Sequence, residues 1–156
     1  MSPRSYGIEP CSVAGTLEIV GERWSLLVLR EAFMGVRRFD QMQRDLGIAR
    51  NILAARLQTL VGHGLLERRR YSERPPRYEY RLTEKGLDLY PALVSIMQWG
   101  DRYLNSESGP PVQLRHKACG QLTHPHLVCG ECGEPVGARD IVAEAGPGAA
   151  AAERSA

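Results

Sequence analysis

Long apolar runs are missing from this 156-residue chain. None approaches the roughly 20 residues that a bilayer-spanning helix needs, so no membrane partner is expected. The first ten residues hold no apolar stretch of the kind a secretory signal carries, and the expected compartment is the cytoplasm. Also missing are a Gly-rich phosphate loop, a nucleophile elbow and a carboxylate pair in a setting suited to acid–base work. No catalytic residue is therefore assigned and no enzyme activity is expected. There is no internal repeat. Lysine is scarce, with 2 residues against 18 arginines. What remains is ordinary for a globular protein, with 43% hydrophobic and 24% charged residues. The length suits one domain with a real core and a small appendage.

The net charge of +2 says little by itself, but its distribution says more. Residues 36–81 hold 11 arginines against 5 acidic residues, a local excess of +6 that leaves −4 for the rest of the chain. A basic stretch between acidic flanks is the footprint of a phosphate-binding surface, although a solvated face can look the same.

Apolar spacing predicts the element order. Val13, Leu17 and Val20 mark a short helix over 11–20, and Trp24, Leu27, Val28, Phe33 and Met34 mark a helix over 23–34 that Gly35 ends. A third helix spans 39–46, with Phe39, Met42 and Leu46 on one side, and Gly47 makes a turn after it. The fourth, over 49–62, goes with the apolar stripe Ile48, Ile52, Leu53, Leu57, Leu60 and Val61. Alternation over 65–71 and 77–82, around a turn containing Pro75 and Pro76, predicts a β-hairpin. Thr83 is a good N-cap for a long helix to about residue 104, kinked or broken at Pro91. Leu87, Leu89, Tyr90, Leu93, Val94, Ile96, Met97 and Trp99 make that helix apolar on more than one side, and the surplus face predicts a second subunit. The expected class is mainly α with a small β-hairpin wing (α+β). The expected divisions are a DNA-binding and dimerisation domain over 1–104, a linker over 105–113, a Cys/His segment over 114–142 and a disordered tail over 143–156.

A short helix, a glycine turn and a second helix are the parts of a helix-turn-helix, whose second helix can enter the major groove of double-stranded DNA. Its leading residues here are Ala49, Arg50 and Asn51, with Ala54 one turn on and Gln58 beyond. Arginine can pair bidentately with guanine and asparagine with adenine, while alanine keeps the helix surface low and can touch a thymine methyl. Arg74 and Arg77 flank the two prolines of the hairpin, a stiff basic tip suited to phosphate or minor-groove contact. Arg38 and Arg44 are placed to hold backbone phosphates beside the helix pair. Each of these side chains, taken alone, could equally be a solvated surface residue.

The stretch from Cys11 to Leu104 resembles the HxlR-type winged helix regulators, relatives of the MarR group. The resemblance rests on Gly21-Glu22-Arg23-Trp24-Ser25-Leu26-Leu27-Val28-Leu29-Arg30, on Arg38-Phe39-Asp40, on Leu53 through Gly64-Leu65, and on Pro75-Pro76-Arg77-Tyr78-Glu79-Tyr80-Arg81-Leu82-Thr83-Glu84-Lys85-Gly86. It implies a transcriptional regulator, with repression as the expected mode. It implies a homodimer joined through the N-terminal helices and the long C-terminal helix, with one recognition helix on each half of a palindromic operator. Ala49 stands where the family has a polar residue, a departure that bears on base contact from that position. Some members sense oxidants or electrophiles through a cysteine just before the first helix, which is the position of Cys11. The alternative for Cys11 is a small, inert thiol. A small-molecule effector is a further expected partner, and Trp24, Phe33, Met97 and Trp99 are either its lining or plain core.

The other cysteines cluster beyond the resemblance. His116-x-x-Cys119-Gly120 is followed, after a nine-residue hairpin-sized spacer, by Cys129-x-x-Cys132-Gly133. Two ligand-x-x-Cys-Gly knuckles are a pattern used by tetrahedral structural zinc, and the segment is too small for its own core. The sequence therefore predicts a zinc-ribbon-like site with zinc held by His116, Cys119, Cys129 and Cys132, His124 and His126 being rival fourth ligands. The alternatives are three reduced cysteines without metal, or a redox pair at Cys129 and Cys132. The last defines the competing function, a thiol–disulfide redox protein. Its neighbourhood lacks the βαβ pattern such motifs favour. A winged helix that binds only protein is the third reading, and the basic excess over 36–81 opposes it.

Overall fold

A computed structural model describes residues 11–104 and 109–147. Helices α1 (Ser12–Val20), α2 (Arg23–Phe33), α3 (Phe39–Leu46) and α4 (Arg50–Gly62) lead into strands β1 (Leu66–Ser72) and β2 (Arg77–Leu82). Helices α5 (Glu84–Leu87) and α6 (Tyr90–Tyr103) follow, then the two-residue strands β3 (Leu114–Arg115) and β4 (Leu122–Thr123). The strands form two separate antiparallel pairs, β1 with β2 and β3 with β4. The chain divides into two compact units, one ending at Tyr90 and the other beginning at Pro91.

The first unit is built on α4. Leu53, Leu57 and Leu60, at the i, i+4, i+7 spacing of one helical face, are all fully buried. They join Val28 and Leu29 of α2, Met42 of α3, and Leu65 and Leu66 at the start of the hairpin. Each such leucine contributes roughly 1.5–3 kcal/mol by leaving water. Ile48, in the turn between α3 and α4, is also buried and joins this core. Met34 departs from the expected core set: it caps the C-terminus of α2 and is exposed.

Strand β1 starts one residue later than alternation predicts, because Leu65 still belongs to the end of α4. Its N–H donates to Leu60 O at 2.9 Å, while Gly64 N–H donates to Val61 O at 3.0 Å. The Leu65 carbonyl then accepts from the backbone N–H of Thr83 at 3.1 Å and from its hydroxyl at 3.2 Å. Thr83 also caps α5, its Oγ1 accepting from Gly86 N–H at 3.1 Å. The single long helix expected after Thr83 is two helices. The break falls at Asp88–Leu89, and Pro91 sits in the first turn of α6, where its missing N–H costs no hydrogen bond.

Helix α6 exposes Ile96, Trp99 and Tyr103, the last two in contact with ring centroids 5.3 Å apart and planes tilted by 49°. Helix α1 likewise exposes Val13 and Leu17. In the second unit β3 pairs with β4 through Leu114–Thr123 and Arg115–Leu122, and Val128 bridges to Pro135. The expected linker over 105–113 and tail over 143–156 lie partly outside the described residues.

Candidate nucleic-acid interface

Helix α3 closes at Gly47 in a left-handed cap, and α4 opens two residues later with Ala49 as its N-cap. Alanine offers no oxygen, so the first N–H groups of α4 have no side-chain cap and stand open to an anion from outside. Asn51, Ala54, Ala55 and Gln58 lie exposed on the side of α4 opposite its buried leucines. Arg50 behaves differently. Its guanidinium turns back toward α3, 3.6 Å from the Asp40 carboxylate and 4.8 Å from the centre of the Phe39 ring.

The hairpin has two unlike faces. Register pairs Arg68 with Tyr80 and Arg70 with Tyr78 on one face, and Glu67 with Arg81 and Arg69 with Glu79 on the other. On the second face each arginine meets a glutamate along its own strand: Arg69 lies 2.6 Å from Glu67 and Arg81 2.6 Å from Glu79. On the first face Arg68 lies 3.6 Å over the Tyr78 ring, with no carboxylate partner among the described residues. Arg70 turns to Glu73 near the tip, at 3.2 Å. A bulge between Arg70 and Ser72 interrupts the ladder at Tyr71. Strict alternation would put Tyr71 on the glutamate side. The bulge re-aims it beneath Arg38, whose guanidinium lies 4.8 Å from its ring centre.

The first face, with Tyr71, lines a groove of about 650 Å³ between α3, the start of α4 and the hairpin. Its walls bring together Arg38, Arg44, Arg50, Arg68 and Arg77, with Asp40 the one carboxylate among its lining residues. Four of those arginines are among the residues singled out by sequence. Arg68 and the tyrosines at 71, 78 and 80 are not. The groove does not include Asn51, Ala54 or Gln58, which continue the exposed line along α4, nor Arg74, which stands exposed at the hairpin tip. Tyr80 N–H donates to Arg37 O at 2.8 Å and ties the hairpin base to the segment that leads into α3.

A helix pair joined by a glycine turn, followed by a basic two-stranded wing, is the architecture of a winged helix-turn-helix. A model of the HxlR-like helix-turn-helix family matches residues 19–108. The chain belongs to this family. An uncharacterised HTH-type transcriptional regulator of Mycobacterium tuberculosis strain H37Rv is 54% identical over 148 residues, covering 95% of this chain and 94% of the relative. The crystal structure of PA1607, a candidate transcription factor, superposes with a TM-score of 0.78 at 40% identity, covering 90% of this chain and 98% of that one. The oxidised form of the redox regulator HypR superposes at 0.57 with 30% identity, covering 62% and 100%. Like these regulators, this HxlR-like chain is a transcriptional regulator with a helix-turn-helix DNA-binding fold. No helix among its described residues is long and apolar enough to cross a membrane.

Two sets of cysteines remain. In this HxlR-like chain Cys11 is the N-cap of α1, its sulfur accepting from Ala14 N–H at 3.5 Å. The His/Cys segment lies beyond the family match, which ends at residue 108. There the structure brings the expected ligands together in pairs. Cys119 Sγ lies 3.4 Å from His116 Nδ1. Cys129 Sγ takes hydrogen bonds from the backbone N–H groups of Cys132 and Glu131, then from the Cys132 thiol, and these hold its thiol below the ordinary cysteine range. Among the described residues no three His, Cys, Asp or Glu side chains converge closely enough to hold a metal.

Proposed function

We propose that this chain is a homodimeric repressor that binds a palindromic operator, placing α4 in the major groove of each half-site and the hairpin wing on the flanking backbone. The observation that carries this reading is the arginine groove: five guanidiniums and a single carboxylate line the space between the recognition helix and the wing. Arg50 and Asn51 read base edges, with Ala54 against a thymine methyl and Gln58 farther along the helix. Ala49 brings the uncapped N-terminus of α4 close to a phosphate. Arg38, Arg44 and Arg68 neutralise phosphates beside the helix pair, and Arg74 and Arg77 do so from the wing.

Dimerisation uses the apolar surface that the chain leaves exposed on α1 and α6, including Leu17, Ile96, Trp99 and Tyr103. Regulation runs through Cys11, whose place at the head of α1 makes it the thiol that oxidation would use to disturb that surface. One relative of this fold is a redox regulator. Thiol–disulfide exchange at Cys129 and Cys132, the competing reading, has the N–H donors on the Cys129 sulfur in its favour. It leaves the arginine groove without a role.

Selection of binding sites from randomised duplex DNA, followed by footprinting of the DNA around the chain's own gene, tests the proposal. An inverted repeat protected in both experiments is expected. Binding that never rises above the non-specific level would overturn it.

A further inference from the structure

We infer that the segment over 114–136 is a structural zinc site, assembled from two preformed half-sites: His116 with Cys119, and Cys129 with Cys132. The backbone geometry of the two half-sites repeats. In the first half-site Gly120 N–H donates to His116 O at 2.8 Å, and His116 N–H donates to Gln121 O at 2.9 Å. In the second, Gly133 N–H donates to Cys129 O at 2.9 Å, and Cys129 N–H donates to Glu134 O at 2.8 Å. The two loops thus share one hydrogen-bond pattern, residue for residue, although only Cys-Gly is common to both at the same two positions. The glycines at 120 and 133 carry φ of +69° and +74°, a conformation that favours glycine and turns the chain sharply behind each cysteine.

What this geometry does for a metal is specific. A tight turn aims two ligand atoms, three residues apart, to the same side of the loop. His116 Nδ1 and Cys119 Sγ already meet at 3.4 Å, and Cys129 and Cys132 hold the corresponding positions of the second turn. The segment also lacks other means of holding itself. Its strands are two residues long, and none of its residues is buried. A stretch this small with no core needs a cross-link, and three cysteines with a histidine supply a closed, four-coordinate one. The two pairs do not converge on one point in the structure, so the metal's action is to draw them together. Binding displaces the thiol protons to solvent and converts two turns into one fold.

The test uses the full-length reduced chain. Elemental analysis of protein purified without chelator is expected to give one zinc per chain. Cobalt(II) added to metal-free protein is expected to give the visible spectrum of tetrahedral thiolate coordination, saturating at one equivalent. Cys119→Ser and Cys132→Ser should each weaken cobalt binding by more than about 100-fold, beyond the loss of a mere outer-shell partner. His116→Ala should do the same, and His124→Ala and His126→Ala should not. Failure of the wild-type chain to give a thiolate–cobalt spectrum would overturn the inference, as would a Cys129–Cys132 disulfide that reforms in preference to metal binding. Unchanged affinity in Cys119→Ser would equally sink it, by reducing the site to one pair. The cobalt spectrum of the wild-type chain stands even if a variant fails to fold. DNA binding measured on the same wild-type samples reports on the arginine groove separately, so the two proposals fail independently.

Discussion

The Arg50 guanidinium lies 3.6 Å from the Asp40 carboxylate, across the turn that joins the two helices of the pair. Both side chains are largely exposed, so the contact adds little stability; what it supplies is direction. Loss of Arg50 to alanine is expected to weaken operator binding by about 1–3 kcal/mol and to relax preference at one base position. Asp40→Ala should act differently: affinity for any duplex rises as a negative charge leaves the groove, while discrimination falls. Fluorescence anisotropy with an operator and its single-base variants measures both. Full discrimination in Asp40→Ala would mean that the pair does not orient Arg50.

Arginines that line the groove or stand at the hairpin tip differ from arginines already paired with carboxylates. Arg68→Ala, Arg74→Ala and Arg77→Ala should each flatten the dependence of binding on salt by about 1 in logarithmic slope. Arg69→Ala and Arg81→Ala, which remove arginines already paired with Glu67 and Glu79, should leave that slope unchanged. Titrations at several salt concentrations decide it; equal effects from the two sets would refute the distinction between free and paired arginines.

Gly86 packs where no side chain fits. A Cβ at this position would press into the Leu65 carbonyl, which Thr83 also holds. Gly86→Ala is expected to destabilise the fold by about 1–3 kcal/mol through overpacking. Thr83→Ala, losing the cap on α5, should cost about 0.5–2 kcal/mol. Urea denaturation checks both, and parent-like stability in Gly86→Ala would exclude the close approach.

Exposed apolar side chains on α1 and α6 predict the assembly state. Ile96→Arg and Leu17→Arg should give folded monomers by sedimentation, because neither residue is needed inside the chain. Binding to a palindrome should fall with the dimer. Sedimentation as the parent species in both variants would move the interface elsewhere.

Cys11→Ser is expected to bind DNA as the parent does and to hold it in the presence of thiol oxidants. Release of DNA by oxidised Cys11→Ser would remove this residue as the sensor.

Much of the fold was legible because its determinants are local. The leucine spacing of α4, the glycine after α3 and the Thr83 cap each act within a few residues. The arginines at 38, 44, 50 and 77 were legible as a basic cluster because charge excess survives without knowledge of contacts. Arg68, Tyr78 and Tyr80 were hidden by register. Their common face follows only from pairing Arg68 with Tyr80, and a one-residue slip would have turned Arg68 to the glutamate side. Tyr71 was further hidden, since a bulge reverses its parity. The turn of Arg50 toward Asp40 depends on how α3 and α4 pack, which spacing along either helix does not encode. The break before Pro91 was visible in kind and misplaced by two residues, because a proline marks the first turn of a new helix as readily as the end of an old one.

The hydrogen bond from Tyr80 N–H to Arg37 O has a consequence for the DNA rather than the protein. It ties the wing to the lead-in of α3 and so resists sliding of the two basic surfaces, which makes the protein a caliper stiff about one setting. On a duplex that rises about 3.4 Å per base pair, an operator with a single pair inserted between the helix site and the wing site presents its phosphates one step too far. Such an insertion should harm binding more than a change of base at the same place, and half-site length would then be read as stringently as letters.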